Sequence, residues 1–123
     1  MHMPFDITIT REFCAGHQLR FPDGSLEPMH GHNWRVRVTV EASALDDLGC
    51  VMDFHVLEGQ LDAILQPLHN RLLNSLPPFD RVLNPSAENV AYHIANGLRL
   101  PANVTLKSVQ VTEAPGCEAT FRP

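Results

Sequence analysis

Two histidines flank a glycine in Met29-His30-Gly31-His32-Asn33-Trp34. In extended backbone, alternate side chains share a face. His30 and His32 therefore project side by side, and Gly31, lacking a Cβ, leaves the opposite face open. Upstream, Phe13-Cys14-Ala15-Gly16-His17 offers a third imidazole at His17. Three neutral imidazoles suit a borderline-soft divalent ion, most often zinc. Three protein ligands leave the fourth position open for water or substrate, as in a catalytic and not a structural site. Glu27, three residues before His30, is placed as a general base, because a carboxylate can take the proton of a hydroxyl whose pKa a metal lowers. Away from a metal, a loop glutamate is ordinarily just solvated. His2, His55 and His93 lack such a setting. His2 lies in the terminal segment, and His55 and His93 are expected to face solvent on helices.

Strands must bring the three histidines together. Phe5, Ile7, Ile9, Phe13, Ala15 and His17 share one parity, and Asp6, Thr8, Thr10 and Glu12 the other, which predicts a half-buried strand from Phe5 to His17. Arg11 is the exception on the apolar side. Arg20 to Met29, with Pro22-Asp23-Gly24-Ser25 and Pro28, reads as a loop. His32, Trp34, Val36, Val38 and Val40 then alternate with Asn33, Arg35, Arg37, Thr39 and Glu41, the clearest strand of the chain. Both strands set their histidines on the apolar face.

Asp53 can cap a helix whose stripe is Leu57, Leu61, Ile64, Leu65 and Leu68, with Pro67 limiting its length. Leu68 to Asn74 reads as a further turn. Ser86 or Asn84 caps a second helix, with Ala91, Ile94, Ala95 and Leu98 as its stripe, and Pro101 ends it. Val104 to Thr112 alternates weakly, with Val109 and Val111 on one side. Pro115-Gly116 makes a turn, and Ala119 to Phe121 forms a last short strand. The order β-β-α-α-β-β, hairpins around a helix pair, predicts an α+β domain with an antiparallel sheet.

The chain has 123 residues, enough for one domain, 1–123, and not for two. Its formal net charge of −5 argues against a nucleic-acid partner, which usually needs a basic face. No apolar run approaches the ~20 residues that span a bilayer, so no membrane partner is expected, and the first residues lack the apolar core of a secretory signal. Cys14, Cys50 and Cys117 are odd in number and widely spaced, which predicts a reducing, cytoplasmic setting. A chain this small has little surface for a deep pocket, and a site built between subunits would supply one.

Five segments stand in a fixed order: Phe13-x-Ala15-x-His17, His30-Gly31-His32-Asn33-Trp34, Val51-Met52-Asp53-Phe54, Asn84-Pro85-Ser86-x-Glu88-Asn89 and Val111-Thr112-Glu113. They resemble the FxAxH, HGHN-aromatic, VxDF, NPTxEN and glutamate-bearing segments of the 6-pyruvoyl-tetrahydropterin synthase and 6-carboxy-5,6,7,8-tetrahydropterin synthase family. The resemblance implies the tunnelling fold, in which subunits join into a barrel of strands, usually a homohexamer of two trimers with active sites at subunit contacts. It implies zinc on His17, His30 and His32, and 7,8-dihydroneopterin triphosphate or a close pterin as substrate. It also implies that Glu113 anchors the pterin. The ring's N3–H and 2-amino group present two parallel donors, and one carboxylate accepts both. Ser86 is a helix cap that can also touch the ring.

Two departures from the family pattern bear on the product. The loop before His30 reads Ser25-Leu26-Glu27-Pro28-Met29, without the family's catalytic cysteine. Glu27-x-x-His30-Gly31-His32 instead resembles the ExxHGH variant associated with cleaving the side chain to 6-hydroxymethyl-7,8-dihydropterin, a folate precursor. In Leu68-His69-Asn70-Arg71-Leu72-Leu73-Asn74, His69 and Asn70 stand where the family's LDHxxLN has aspartate and histidine. Asparagine cannot shuttle a proton near neutral pH, which leaves His69 as a candidate to work with Glu27. The expectation is a zinc-dependent pterin lyase. Its alternatives are the 6-carboxytetrahydropterin synthase of queuosine synthesis and a pterin- or metal-binding paralogue without turnover.

Overall fold

The computed structural model describes residues 2–123. Strand β1 (Phe5–His17) and strand β2 (His30–Ala42) have the predicted alternation. They are followed by helix α1 (Phe54–Leu65), strand β3 (Arg71–Leu72), a 3-10 turn (Leu73–Ser75), helix α2 (Ala87–Gly97), strand β4 (Thr105–Ala114) and strand β5 (Cys117–Phe121). The strands form one sheet in the order β3-β1-β2-β4-β5, antiparallel except where β3 joins β1. The fold is α+β. Both helices contact the sheet, α1 against β1 and α2 against β4 and β5. Ile9, Phe13, Trp34, Val36 and Val38 of the sheet are buried with Leu57, Leu61, Val90 and Ile94 of the helices in one core.

Local chemistry explains the helix starts. The Asp53 carboxylate accepts the His55 N–H, and the Ser86 hydroxyl accepts the Asn89 N–H, so each helix begins on a side-chain cap. Arg11, out of place on the apolar parity, lies under α1, where its guanidinium meets Asp62 at 2.8 Å and Glu58 at 3.1 Å. The other sheet face is polar, with the Thr8 and Thr39 hydroxyls paired at 2.8 Å.

Three expectations are corrected. The predicted turn at residues 68–74 holds β3 and the 3-10 turn, because Asn70 N–H reaches back to the Cys14 carbonyl at 2.6 Å and draws the following residues onto β1. The weak alternation of β4 has a cause. The β2–β4 register passes from Thr39↔Ser108 to Val40↔Leu106, skipping Lys107. Such a bulge reverses side-chain parity, so Val104 and Leu106 join Val109 and Val111 on the inner face.

His93 is the third. It does not face solvent freely but packs edge-on against Phe79, ring centroids 5.3 Å apart, and burial pushes its imidazolium pKa below the usual value. The unfolded chain then binds this proton more readily than the folded one, so His93 costs stability once pH falls below ~6.5 and costs none above it. Denaturant midpoints across pH 5 to 8, roughly the histidine range, should show a steeper acid-side loss in the native protein than in His93→Gln. Parallel curves would place His93 in contact with water.

Candidate metal centre

The centre begins with a cross-strand pair. The antiparallel register of β1 and β2 sets His17 opposite His30 and Ala15 opposite His32. The three rings gather with centroids 4.5 Å (His17–His30), 4.7 Å (His30–His32) and 5.2 Å (His17–His32) apart. His17 is 1 % exposed, the one buried ionisable side chain among the described residues. Trp34 closes the cluster from the core side. It meets His17 and His32 edge-on and donates its ring N–H to the Ala15 carbonyl at 3.0 Å.

The neighbours of the rings decide where their protons sit. His17 Nδ1 lies 2.6 Å from the Pro85 carbonyl, and His30 Nδ1 lies 3.1 Å from the Pro28 carbonyl. A carbonyl only accepts, so each Nδ1 carries the proton and each Nε2 offers a lone pair. Yet the Nε2 atoms of His17 and His30 stand 2.9 Å apart. His32 Nε2 is buried without a partner. Burial pushes the His32 pKa down against the opposing Glu113 carboxylate, and so burial favours the neutral ring. Inward lone pairs that share no proton repel one another. A divalent cation at their focus removes the repulsion and satisfies the orphaned nitrogen at once, so the donor set fits zinc.

The side of the triad that the sequence leaves open faces Glu113. Its Oε1 is 3.0 Å from His17 Nε2 and 3.9 Å from His32 Nε2, and the ligand atoms of all four residues lie within 4.8 Å of one another. Glu113 shares the inward parity of Val109 and Val111, and an irregularity between Thr112 and Ala114 marks its position.

Glu27 approaches from the loop. Its Oε1 accepts the Leu19 N–H at 3.0 Å and lies 3.8 Å from His30 Nε2. Its own N–H donates to the Leu19 carbonyl at 3.0 Å. Residues 18–20, on which Glu27 hangs, meet residues 25–27 on one edge through the Arg20–Leu26 bridge, and their other edge has no strand beside it. Two asparagine amides take that place. Asn74 accepts the Gln18 N–H and donates to the Gln18 carbonyl, both at 2.8 Å. Asn84 does the same for Arg20 at 2.8 Å and 3.0 Å. Sequence reasoning gave Asn74 no role and Asn84 only a cap. The available signal was that each ends or opens a family-like segment, and that an amide carries one donor and one acceptor, as a peptide unit does.

His69 is not brought into the cluster. Its Nδ1 accepts the Cys14 N–H at 3.0 Å, and its side chain borders a separate concavity with Glu12, Asp62 and Gln66. Asn70 has φ 59, a left-handed conformation that asparagine tolerates, and lines a concavity beside His30 with Met29 and Arg71. Ser86 follows the carbonyl that holds His17, and its hydroxyl caps α2. Cys14 has the opposite parity to His17, and Cys50 and Cys117 are exposed.

Residues 6–123 match the family profile of 6-pyruvoyl tetrahydropterin synthase. A 6-carboxy-5,6,7,8-tetrahydropterin synthase of Synechocystis sp. is 34% identical over 106 residues, covering 82% of this chain and 80% of that protein. The solved 6-pyruvoyl tetrahydropterin synthase of Caenorhabditis elegans superposes with a TM-score of 0.79 at 22% identity, covering 100% of this chain and 99% of that one. The Plasmodium vivax 6-pyruvoyltetrahydropterin synthase, solved with alanine in place of a catalytic glutamate, superposes with a TM-score of 0.74 at 17% identity, covering 97% of each chain.

His32→Ala should leave the fold intact, because the ring lies outside the fully buried core, its side chain 19% exposed. Elemental analysis after dialysis should find about one zinc per chain in the native protein and much less in the variant. Equal zinc in both would remove His32 from the ligand set.

Proposed function

The chain belongs to the 6-pyruvoyl tetrahydropterin synthase family, and on that premise we propose that it is a zinc-dependent lyase of 7,8-dihydroneopterin triphosphate or a close pterin, favouring cleavage to 6-hydroxymethyl-7,8-dihydropterin. The observation that carries the reading is the Glu27 carboxylate, held on the Leu19 N–H and facing His30 at the rim of the three-histidine cluster. Zinc, held by His17, His30 and His32, supplies the Lewis acidity that makes a side-chain hydroxyl easier to deprotonate. Glu27 takes the proton from the hydroxyl on the second side-chain carbon. That carbon becomes a carbonyl as its bond to the first carbon breaks, and the electron pair enters the ring as an enamine. Glu27 then returns the proton to the first carbon, leaving a hydroxymethyl group on the ring. Proton and electrons balance, and no oxidant is needed.

The other residues take supporting roles in this reading. Glu113 offers the pterin edge two acceptors, and Ser86, whose oxygen already accepts the Asn89 N–H, keeps its own proton to donate. His69 faces away from this chain's cluster, so it would act in the site of a neighbouring copy, as sites at subunit contacts require. A homohexamer supplies that neighbour and also covers the short edges β3 and β5. The loop before His30 carries Glu27 and no cysteine, which supports a glutamate-based reaction, and the Plasmodium vivax enzyme carries a catalytic glutamate. The likeness to the Synechocystis enzyme favours 6-carboxytetrahydropterin formation as the second reading.

Incubating zinc-loaded protein with 7,8-dihydroneopterin triphosphate and identifying products by mass decides among them. Hydroxymethyldihydropterin is the expected product. A carboxylated product supports the second reading, and no product points to a binding paralogue. Glu27→Gln should keep its zinc and lose turnover by ~10²–10⁴-fold. Wild-type turnover in that variant would reduce Glu27 to a loop carboxylate. Light scattering should give a mass well above the 13.7 kDa chain, close to a hexamer. A monomer at micromolar concentration would end the shared-site reading.

A further inference from the structure

Glu113 stands closer to the histidines than a pterin anchor needs to be. The donors it is expected to bind, N3–H and the 2-amino group, lie on the far ring of a fused two-ring system. A substrate whose side-chain hydroxyls reach the His17, His30 and His32 nitrogens carries those donors two rings away. The Glu113 Oε1 is instead 3.0 Å from His17 Nε2. One carboxylate cannot occupy both places at once.

The contact itself asks for a cation. His17 donates through Nδ1 to the Pro85 carbonyl, so its Nε2 presents a lone pair. A carboxylate oxygen against that lone pair sets acceptor against acceptor, and His32 Nε2, also facing the carboxylate, is buried without a partner. Three neutral imidazoles and one carboxylate form a four-ligand set suited to zinc, with all four atoms inside 4.8 Å. The carboxylate is also free to leave. Its side chain is 28% exposed, and it borders an open concavity into which it can swing.

We propose that Glu113 is a displaceable fourth ligand. It closes the histidine cluster when no substrate is bound, and it gives up that place to the side-chain hydroxyls of the pterin. The proposal rests on the pterin reading above and deepens it: the residue expected to hold the far end of the ring also guards the metal position until the substrate arrives. Binding of a diol-bearing pterin and release of Glu113 are then one exchange.

The test uses the full-length zinc protein, Glu113→Gln and Glu113→Asp. Asp keeps the charge and shortens the reach by one methylene. Both variants should surrender zinc to a competing chelator at least ~10-fold faster than the native protein, no less than the loss typical of a disturbed partner of a metal ligand. Native retention in both variants overturns the proposal. Cobalt-loaded protein reads the exchange. The visible spectra of native protein and Glu113→Gln should differ without ligand and coincide at saturating neopterin, an unreactive diol-bearing pterin. Spectra that stay different at saturation show a ligand that never leaves and overturn displacement. Turnover of dihydroneopterin triphosphate by the native protein, with tight zinc in both variants, sinks the proposal alone. No turnover and no neopterin binding, with variants that shed zinc, sinks the pterin reading and displacement together and leaves Glu113 as a fixed ligand.

Discussion

The pairing of His17 with His30 across β1 and β2 is the constraint on which the rest of the site depends. It is a matter of register. Side chains alternate along a strand, so a slip of one residue would carry one histidine to the polar face and Phe13 or Trp34 out of the core with it. The packing that buries Phe13 on Trp34, stacked at 5.8 Å, is thus the same packing that points His17 and His30 at a common spot. Hydrophobic burial holds the register, and the register holds the three histidines together. The ligands themselves contribute little to that choice, since their inward lone pairs repel without a cation.

The next layer is made by chain segments remote in sequence. Pro85, at the entrance to α2, orients His17, and Pro28, in the loop, orients His30. The carbonyl before a helix and a loop carbonyl each fix a tautomer, and both tautomers turn Nε2 inward. The orientation of His17 is thereby coupled to the seating of α2 on the sheet. Binding of a cation to such a set is folding energy as well as ligand energy, because the unfolded chain holds no preformed site.

The loop that carries Glu27 pairs with residues 19–21 on one edge, and two side-chain amides hold the other edge in place of a strand. Asn74 and Asn84 answer the donor and acceptor of Gln18 and Arg20, and the Arg20 guanidinium reaches the Asn74, Asp80 and Leu83 carbonyls at 3.3–3.5 Å. A backbone held in this way exposes the Leu19 N–H in one direction, toward Glu27. The position of a single carboxylate beside the cluster is thus set by hydrogen bonds between loop segments.

The sequence by itself determined the strands, the helix caps and the membership of the triad. These follow from periodicity and local capping chemistry, which act over a few residues: the parity of His17, His30 and His32 was legible because a strand side chain must face the side its parity dictates. The family-like order of five segments also carried the fold class. The sequence left other things open because they are set by contacts between distant residues. The bulge at Lys107 reverses parity only because β4 must fit β2, and it hid the inner face of β4. β3 exists because Asn70 can take a left-handed φ and reach the Cys14 carbonyl. His69 turns its ring to the Cys14 amide and away from the histidines, a direction no spacing rule encodes. The place of Glu113 within 3.0 Å of His17, and the two asparagines that stand in for a strand, belong to the tertiary structure alone. Each depends on where a side chain of one element meets the backbone or ring of another, and that is decided when the sheet and helices close on their common core.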